Sequence, residues 1–164
     1  MHSSQPAPKL RNGVLIDSCV LMDALLKFRT NHKQASELLD QLRTFGVVYY
    51  VPSHAYFEYA VACITHVKRE RAKVLAHPIN PATVPSVRPE VVKLDNEYVN
   101  QLLRVLSGKP YPDLKSQDLI YFCIARDRGL TLITEDRKLR NTARRGGIES
   151  FDTSETLEIL RGRD

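Results

Sequence analysis

Three short apolar runs, Val14–Ile16, residues 47–51 ("VVYYV") and residues 130–134 ("LTLIT"), are separated by longer stretches whose apolar residues recur at helical spacing. A chain that alternates strand and helix must cross over between successive strands. Such crossovers bring the strands in parallel and lay helices on both faces of the sheet. The sequence therefore predicts an α/β domain, a three-layer α/β/α arrangement around a mainly parallel central sheet. Ligands in sheets of this kind bind outside the carboxyl ends of the strands.

The helical stretches have recognisable limits. Residues 20–28 follow the first strand, and residues 33–44 put Ala35, Leu38, Leu39 and Leu42 on one face before Gly46 ends the helix. Pro52-Ser53 marks the start of a long helix over residues 54–76. The proline-rich "HPINPATVPSVRPE" then reads as a loop within the domain. Further helices are expected over residues 95–107, over 117–128 with Gly129 as the stop, over a short basic stretch at 136–145, and over 154–160. "IESF" reads as a weak edge strand. The 164 residues suit one domain, with residues 1–12 as a flexible N-terminal segment and residues 13–164 as the folded unit. No apolar run approaches the ~18 residues that span a bilayer, and the N-terminus lacks the apolar core of a secretory signal, so no membrane and a cytoplasmic location are expected. Three widely spaced cysteines, with no Cys-x-x-Cys pair, read as free thiols.

The first run continues as "VLIDSCVLM", which sets Asp17 among apolar neighbours. An ionised carboxylate that leaves water without a partner is costly, so Asp17 requires a cationic or protic neighbour. It follows Ile16 and so stands at the carboxyl end of its strand. Asp136 stands just past Thr134, at the carboxyl end of the third run. Glu58 lies in the helix after the second, and Asp118 opens the helix that leads into the third. Taken singly, Asp118 and Asp136 read as cap or turn residues and Glu58 as a solvated or paired helix acid. Together they converge on one sheet edge, where they would raise one another's pKa values unless a divalent cation balanced them. Oxygen-only ligands suit Mg²⁺ or Mn²⁺ rather than zinc. A site of that kind activates water and stabilises charge on a phosphodiester, so the expected chemistry is metal-dependent phosphodiester hydrolysis. Aspartyl-phosphate enzymes also place Asp at a strand end, but the second acid of their Asp-x-Asp is missing from Asp17-Ser18-Cys19.

"VLIDSCVLMD", "VPSHAYFEYA" and "SQDLIYFCIARDRGLTLITED" resemble the acidic motifs of the PIN-domain family, over roughly residues 13–152. The resemblance implies a PIN-like nuclease domain and a metal-dependent endoribonuclease, with Asp17, Glu58, Asp118 and Asp136 as catalytic metal ligands. Many small members are VapC-like toxin ribonucleases, which implies an RNA substrate and a small antitoxin protein as partner. A PIN fold that has lost catalysis and serves as a nucleic-acid or protein-binding module is the alternative. Ser18 matches the small hydroxyl residue after the first aspartate and Thr134 the hydroxyl of the Thr-x-Asp pattern. Cys19 departs from the Asn or Ser often found next, which puts in question the hydrogen bond that residue makes to the first acid. Asp113 reads as a loop acid.

A formal charge of +5 favours an anionic partner. The basic stretch 126–145 flanks the acidic edge, and Arg137, Arg144 and Arg145 are expected, with Ser18 and Thr134, on the substrate side, where cations would meet phosphates. The helix from His54 carries Tyr56, Phe57, Tyr59, Ala60, Val61, Cys63 and Ile64 around most of its circumference. One sheet covers one side only, so a homodimer is expected to cover the rest, as in the many small family members that pair.

Overall fold

The computed structural model describes residues 10, 12–70, 89–106 and 112–162. In chain order the elements are β1 (Val14–Ile16), α1 (Ser18–Leu25), α2 (His32–Thr44), β2 (Tyr49–Pro52), α3 (His54–Glu70), β3 (Glu90–Val92), α4 (Asn96–Leu106), α5 (Ser116–Arg128), β4 (Thr131–Ile133), α6 (Arg137–Arg145), β5 (Ser150–Phe151) and α7 (Thr153–Arg161). The five strands form one sheet in the order β3-β2-β1-β4-β5, and every pair is parallel.

Side chains along a strand point alternately to opposite faces, and here both faces are covered. Val14 and Ile16 of β1 and Ile133 of β4 face a layer built from α1, α2 and α7, where Val20, Leu21, Leu38, Leu42, Leu157 and Leu160 close the core. Leu15 and Leu132 face the opposite layer, where α4, α5 and α6 supply Leu102, Leu106, Ile124, Leu139 and Ala143. Each such side chain taken out of water contributes on the order of 1.5–3 kcal/mol. This is the three-layer α/β/α fold.

Most elements begin and end within one or two residues of their expected limits, and the differences have local causes. Helix α1 stops at Leu25 because the buried Asp23 carboxylate draws the following turn back on itself, accepting from Arg29 Nε at 2.5 Å and Asn31 Nδ2 at 3.3 Å. Strand β2 starts at Tyr49 rather than residue 47 and takes in Pro52, which pairs in register with Val92. Strand β3 had no counterpart in the sequence reading. Its three residues follow Pro89 directly, too short a run to stand out beside four prolines. Most of the expected lead-in, the far end of the helix from His54 and nearly all of the proline-rich stretch lie outside the described residues; within the lead-in, Leu10 is buried in the core beside Val14 and Asn12 donates to the Gly129 carbonyl at 3.1 Å. Among the described residues no helix is long and apolar enough to cross a membrane.

Helix α3 packs on α1 through Tyr59 and Cys63, which meet Met22, Leu25 and Leu26. Its outer stripe is open among the described residues, with Phe57, Val61 and Ile64 exposed by 74%, 45% and 48%.

Gly13 sets the entry to β1. Its φ is +93°, and a Cβ there would lie 2.6 Å from the Val48 carbonyl oxygen and 2.9 Å from the Tyr50 ring. Gly147 also has positive φ, at +77°, but a Cβ there meets nothing within 4 Å. Gly13→Ala is therefore expected to destabilise the fold by about 1–3 kcal/mol or more, and Gly147→Ala by less, because only Gly13 adds a clash to the backbone strain. Urea unfolding midpoints of the two variants check this.

Candidate active site

The chain builds β1, β2 and β3 in one direction across the sheet, then returns to the other side of β1 for β4 and β5. The strand order reverses between β1 and β4, and a crevice opens there beyond the carboxyl ends. The register Ile16↔Ile133 makes the next residues, Asp17 and Thr134, neighbours across that crevice.

Asp17 is only 7% exposed, and its local contacts explain how a carboxylate is tolerated there. Its backbone carbonyl accepts from Val20 and Leu21, opening α1, while its side chain makes no cap bond to that helix. The carboxylate instead accepts from Thr134 Oγ1 at 2.6 Å, Cys19 Sγ at 3.1 Å and Ser18 Oγ at 3.4 Å. Ser18 and Thr134, expected on the substrate side, thus both hold the first acid. Cys19 keeps the hydrogen bond that its departure from Asn or Ser had put in question. Burial and the adjacent Asp17 charge push the thiol well above its ordinary pKa, so it stays protonated and able to donate.

A pocket of about 340 Å³ lies over this point, and Asp17, Glu58, Asp118 and Asp136 all line it. Asp118 sits in the first turn of α5. Partial burial raises its carboxyl pKa, and the charges of Asp136, Asp17 and Glu58 raise it further against the opposing effect of Lys115. Asp136 caps α6 by accepting from Leu139 N at 2.8 Å, and its own N–H donates to Thr134 Oγ1 at 3.0 Å. The cap role and the pocket role of Asp136 are therefore both present. Glu58 holds its Oε2 buried with no hydrogen-bond partner among the described residues.

Several lining residues were not foreseen. Glu135 lines the pocket while accepting from Thr153 N at 3.0 Å, and Gln117 stands at its rim. Tyr121, one turn past Asp118 and almost wholly buried, accepts at its hydroxyl from Ser18 N at 3.0 Å. Its helical spacing from Asp118 was the available signal. His54, one turn before Glu58, sits 5.3 Å from the Tyr121 ring in an edge arrangement.

Among the described residues no three His, Cys, Asp or Glu side chains already stand in a metal-holding group. The donor chemistry nonetheless fits a hard divalent cation: the carboxylates of Asp17, Glu58, Asp118 and Asp136 line one pocket, and the charges of the other three add to burial in raising the pKa of Asp118.

The basic residues divide into two groups. Arg144 donates to both Glu155 oxygens at 3.1 and 2.9 Å and to the Ser150 carbonyl at 2.8 Å, fastening α6 to α7 and β5. Arg140 donates to the Thr134 carbonyl at 2.9 Å and pairs with Asp152. Arg137 and Arg145 remain exposed, the latter with one bond to Thr142 at 3.2 Å. Asp113 is a fully exposed loop acid outside the pocket lining, paired with Lys138 at 2.9 Å.

A family model described as PIN domain matches residues 14–145. No curated protein matches the sequence. Among solved structures, the fold is similar to a chain of one described as the structure of FitAB bound to an IR36 DNA fragment, with a TM-score of 0.53 over 85% of this chain and 94% of that one. The two sequences are 14% identical, so this likeness concerns the fold alone.

The raised Asp118 carboxyl has a cost to stability with a definite sign. As pH climbs through the ordinary carboxylate range, the unfolded chain releases this proton before the folded one does. The folded state then binds more protons, and stability falls with rising pH until Asp118 ionises in the fold. Asp118→Asn is thus expected to raise the urea midpoint of the metal-free protein at pH 7, with the gain shrinking as pH is lowered towards about 4. Unfolding curves in EDTA at both pH values check it.

Proposed function

The chain belongs to the PIN-domain family, and on that premise we propose that it is a metal-dependent endoribonuclease that hydrolyses RNA phosphodiester bonds at the pocket between β1 and β4. The observation that carries this reading is the shared lining of one pocket by the four carboxylates Asp17, Glu58, Asp118 and Asp136. These four side chains would hold Mg²⁺ or Mn²⁺. Such an ion, when bound, supplies an activated water and offsets charge developing on the phosphodiester.

The chain's own groups do the rest. Thr134, Cys19 and Ser18 fix the Asp17 carboxylate by donating to it, and Thr134 ties it to the backbone of Asp136 through one hydroxyl. Partial burial, and then the neighbouring charges of Asp136, Asp17 and Glu58, raise the pKa of the Asp118 carboxyl. Arg137 and Arg145, both exposed, would meet phosphates on either side of the scissile bond, and Arg144 supports them by holding α6 in place.

The resemblance to VapC-like toxins supports a small antitoxin protein as partner. The open stripe of Phe57, Val61 and Ile64 supports a homodimer formed through α3.

Purified protein is expected to cleave single-stranded or structured RNA only with Mn²⁺ or Mg²⁺ present, and Asp17→Asn to lower kcat/KM by at least roughly 100-fold, the loss of several kcal/mol of transition-state stabilisation. RNA bound but left intact by the wild type in Mn²⁺ would instead favour the inactive binding module. Light scattering tests assembly. A mass near twice the 18.7 kDa of the chain is expected, falling to the single-chain value in Phe57→Asp or Ile64→Asp. Tyr59 is unsuitable for this test because it is buried against α1.

A further inference from the structure

His54 stands one helical turn before Glu58 on α3, so the two side chains share a face. Among the described residues both of its ring nitrogens are buried without a hydrogen-bond partner, and so is Glu58 Oε2, 4.0 Å from His54 Nε2. Three buried polar atoms left unsatisfied beside a pocket are expensive. The edge contact with Tyr121, whose hydroxyl is held by Ser18 N, limits how far the ring can swing. A turn of the Glu58 carboxylate by about 1 Å would bring the facing atoms into hydrogen-bond range and satisfy both.

We propose that His54 is a positioning residue for Glu58, donating its Nε2–H to Glu58 Oε2 and so presenting the other carboxylate oxygen to the pocket. The inference rests on the proposed reading of this pocket as a metal site. A bond to a ligating carboxylate restricts its orientation, and loss of such a supporting bond typically weakens metal affinity 10–100-fold. His54 acts through Glu58 and is not among the residues that line the pocket.

Two substitutions separate the N–H from the ring. His54→Gln keeps an N–H close to the position of Nε2, whereas His54→Phe keeps a ring against Tyr121 and removes the donor. Mn²⁺ titration calorimetry on the full chain is expected to show the Gln variant within about 3-fold of wild type and the Phe variant weakened roughly 10-fold. Equal weakening of both, or of neither, would overturn the proposal. A second measurement needs no metal. ¹⁵N NMR of the metal-free protein is expected to show a slowly exchanging proton on His54 Nε2 that disappears in Glu58→Ala. Its absence from the wild type overturns the pairing even where Mn²⁺ binds, and decides the matter if His54→Phe does not fold. Its presence in a wild type that binds no Mn²⁺ upholds the pairing and sinks the metal reading instead.

Discussion

The parallel pairing of β1 with β4 is the constraint on which the rest of the molecule depends. It brings two strand ends from distant parts of the sequence side by side, and the residues that follow, Asp17 and Thr134, are joined by a hydrogen bond of 2.6 Å. The same pairing sits at the centre of the sheet, so both of its faces are sealed by helices. A shift of register by one residue would turn Leu132 and Ile133 to the wrong layers and separate the hydroxyl from the carboxylate. Core and pocket are therefore specified by one set of backbone bonds.

The pocket works against the stability of the fold that carries it. Asp17 is accommodated because three donors surround it, whereas Asp118, Glu58 and Asp136 face one another across open space. The fold absorbs this repulsion through its rigid surroundings. Tyr121 is packed under the pocket floor, and the capping box of Asp152 and Glu155 holds the start of α7 while Glu155 also receives Arg144. Residues that bind are commonly held in such locally unfavourable arrangements, and the cost is borne by packing elsewhere.

Much of this was legible in the sequence. The apolar runs and Gly129, which adopts the left-handed conformation at the end of α5, marked strands and helix ends directly. The acids that line the pocket could be placed from their positions relative to strand ends, because a parallel sheet gathers those ends on one edge. Strand β3 was hidden because its pairing is with β2, far away in sequence, and three residues carry no period. The division of labour among the arginines was hidden too. Arg144 and Arg145 are adjacent and chemically identical, yet Arg144 ties α6 to α7 through Glu155 whereas Arg145 is exposed and bonds Thr142 within its own helix. His54 escaped notice because a single histidine four residues from a glutamate is common on helices, and the loss of its partners is visible only in three dimensions.

The placement of α7 has a further consequence for the order of events at the ribosome. Leu157 and Leu160 complete the same core layer that covers Val14 and Ile16, and Thr153 N holds Glu135 at the pocket rim. Strand β1 leaves the ribosome well before α7 and is thus fully enclosed only once α7 has docked. A nascent chain that stops short of residues 153–161 has β1 with one face uncovered and its acidic crevice unsupported, so vectorial synthesis delays assembly of the pocket until those residues are free to dock.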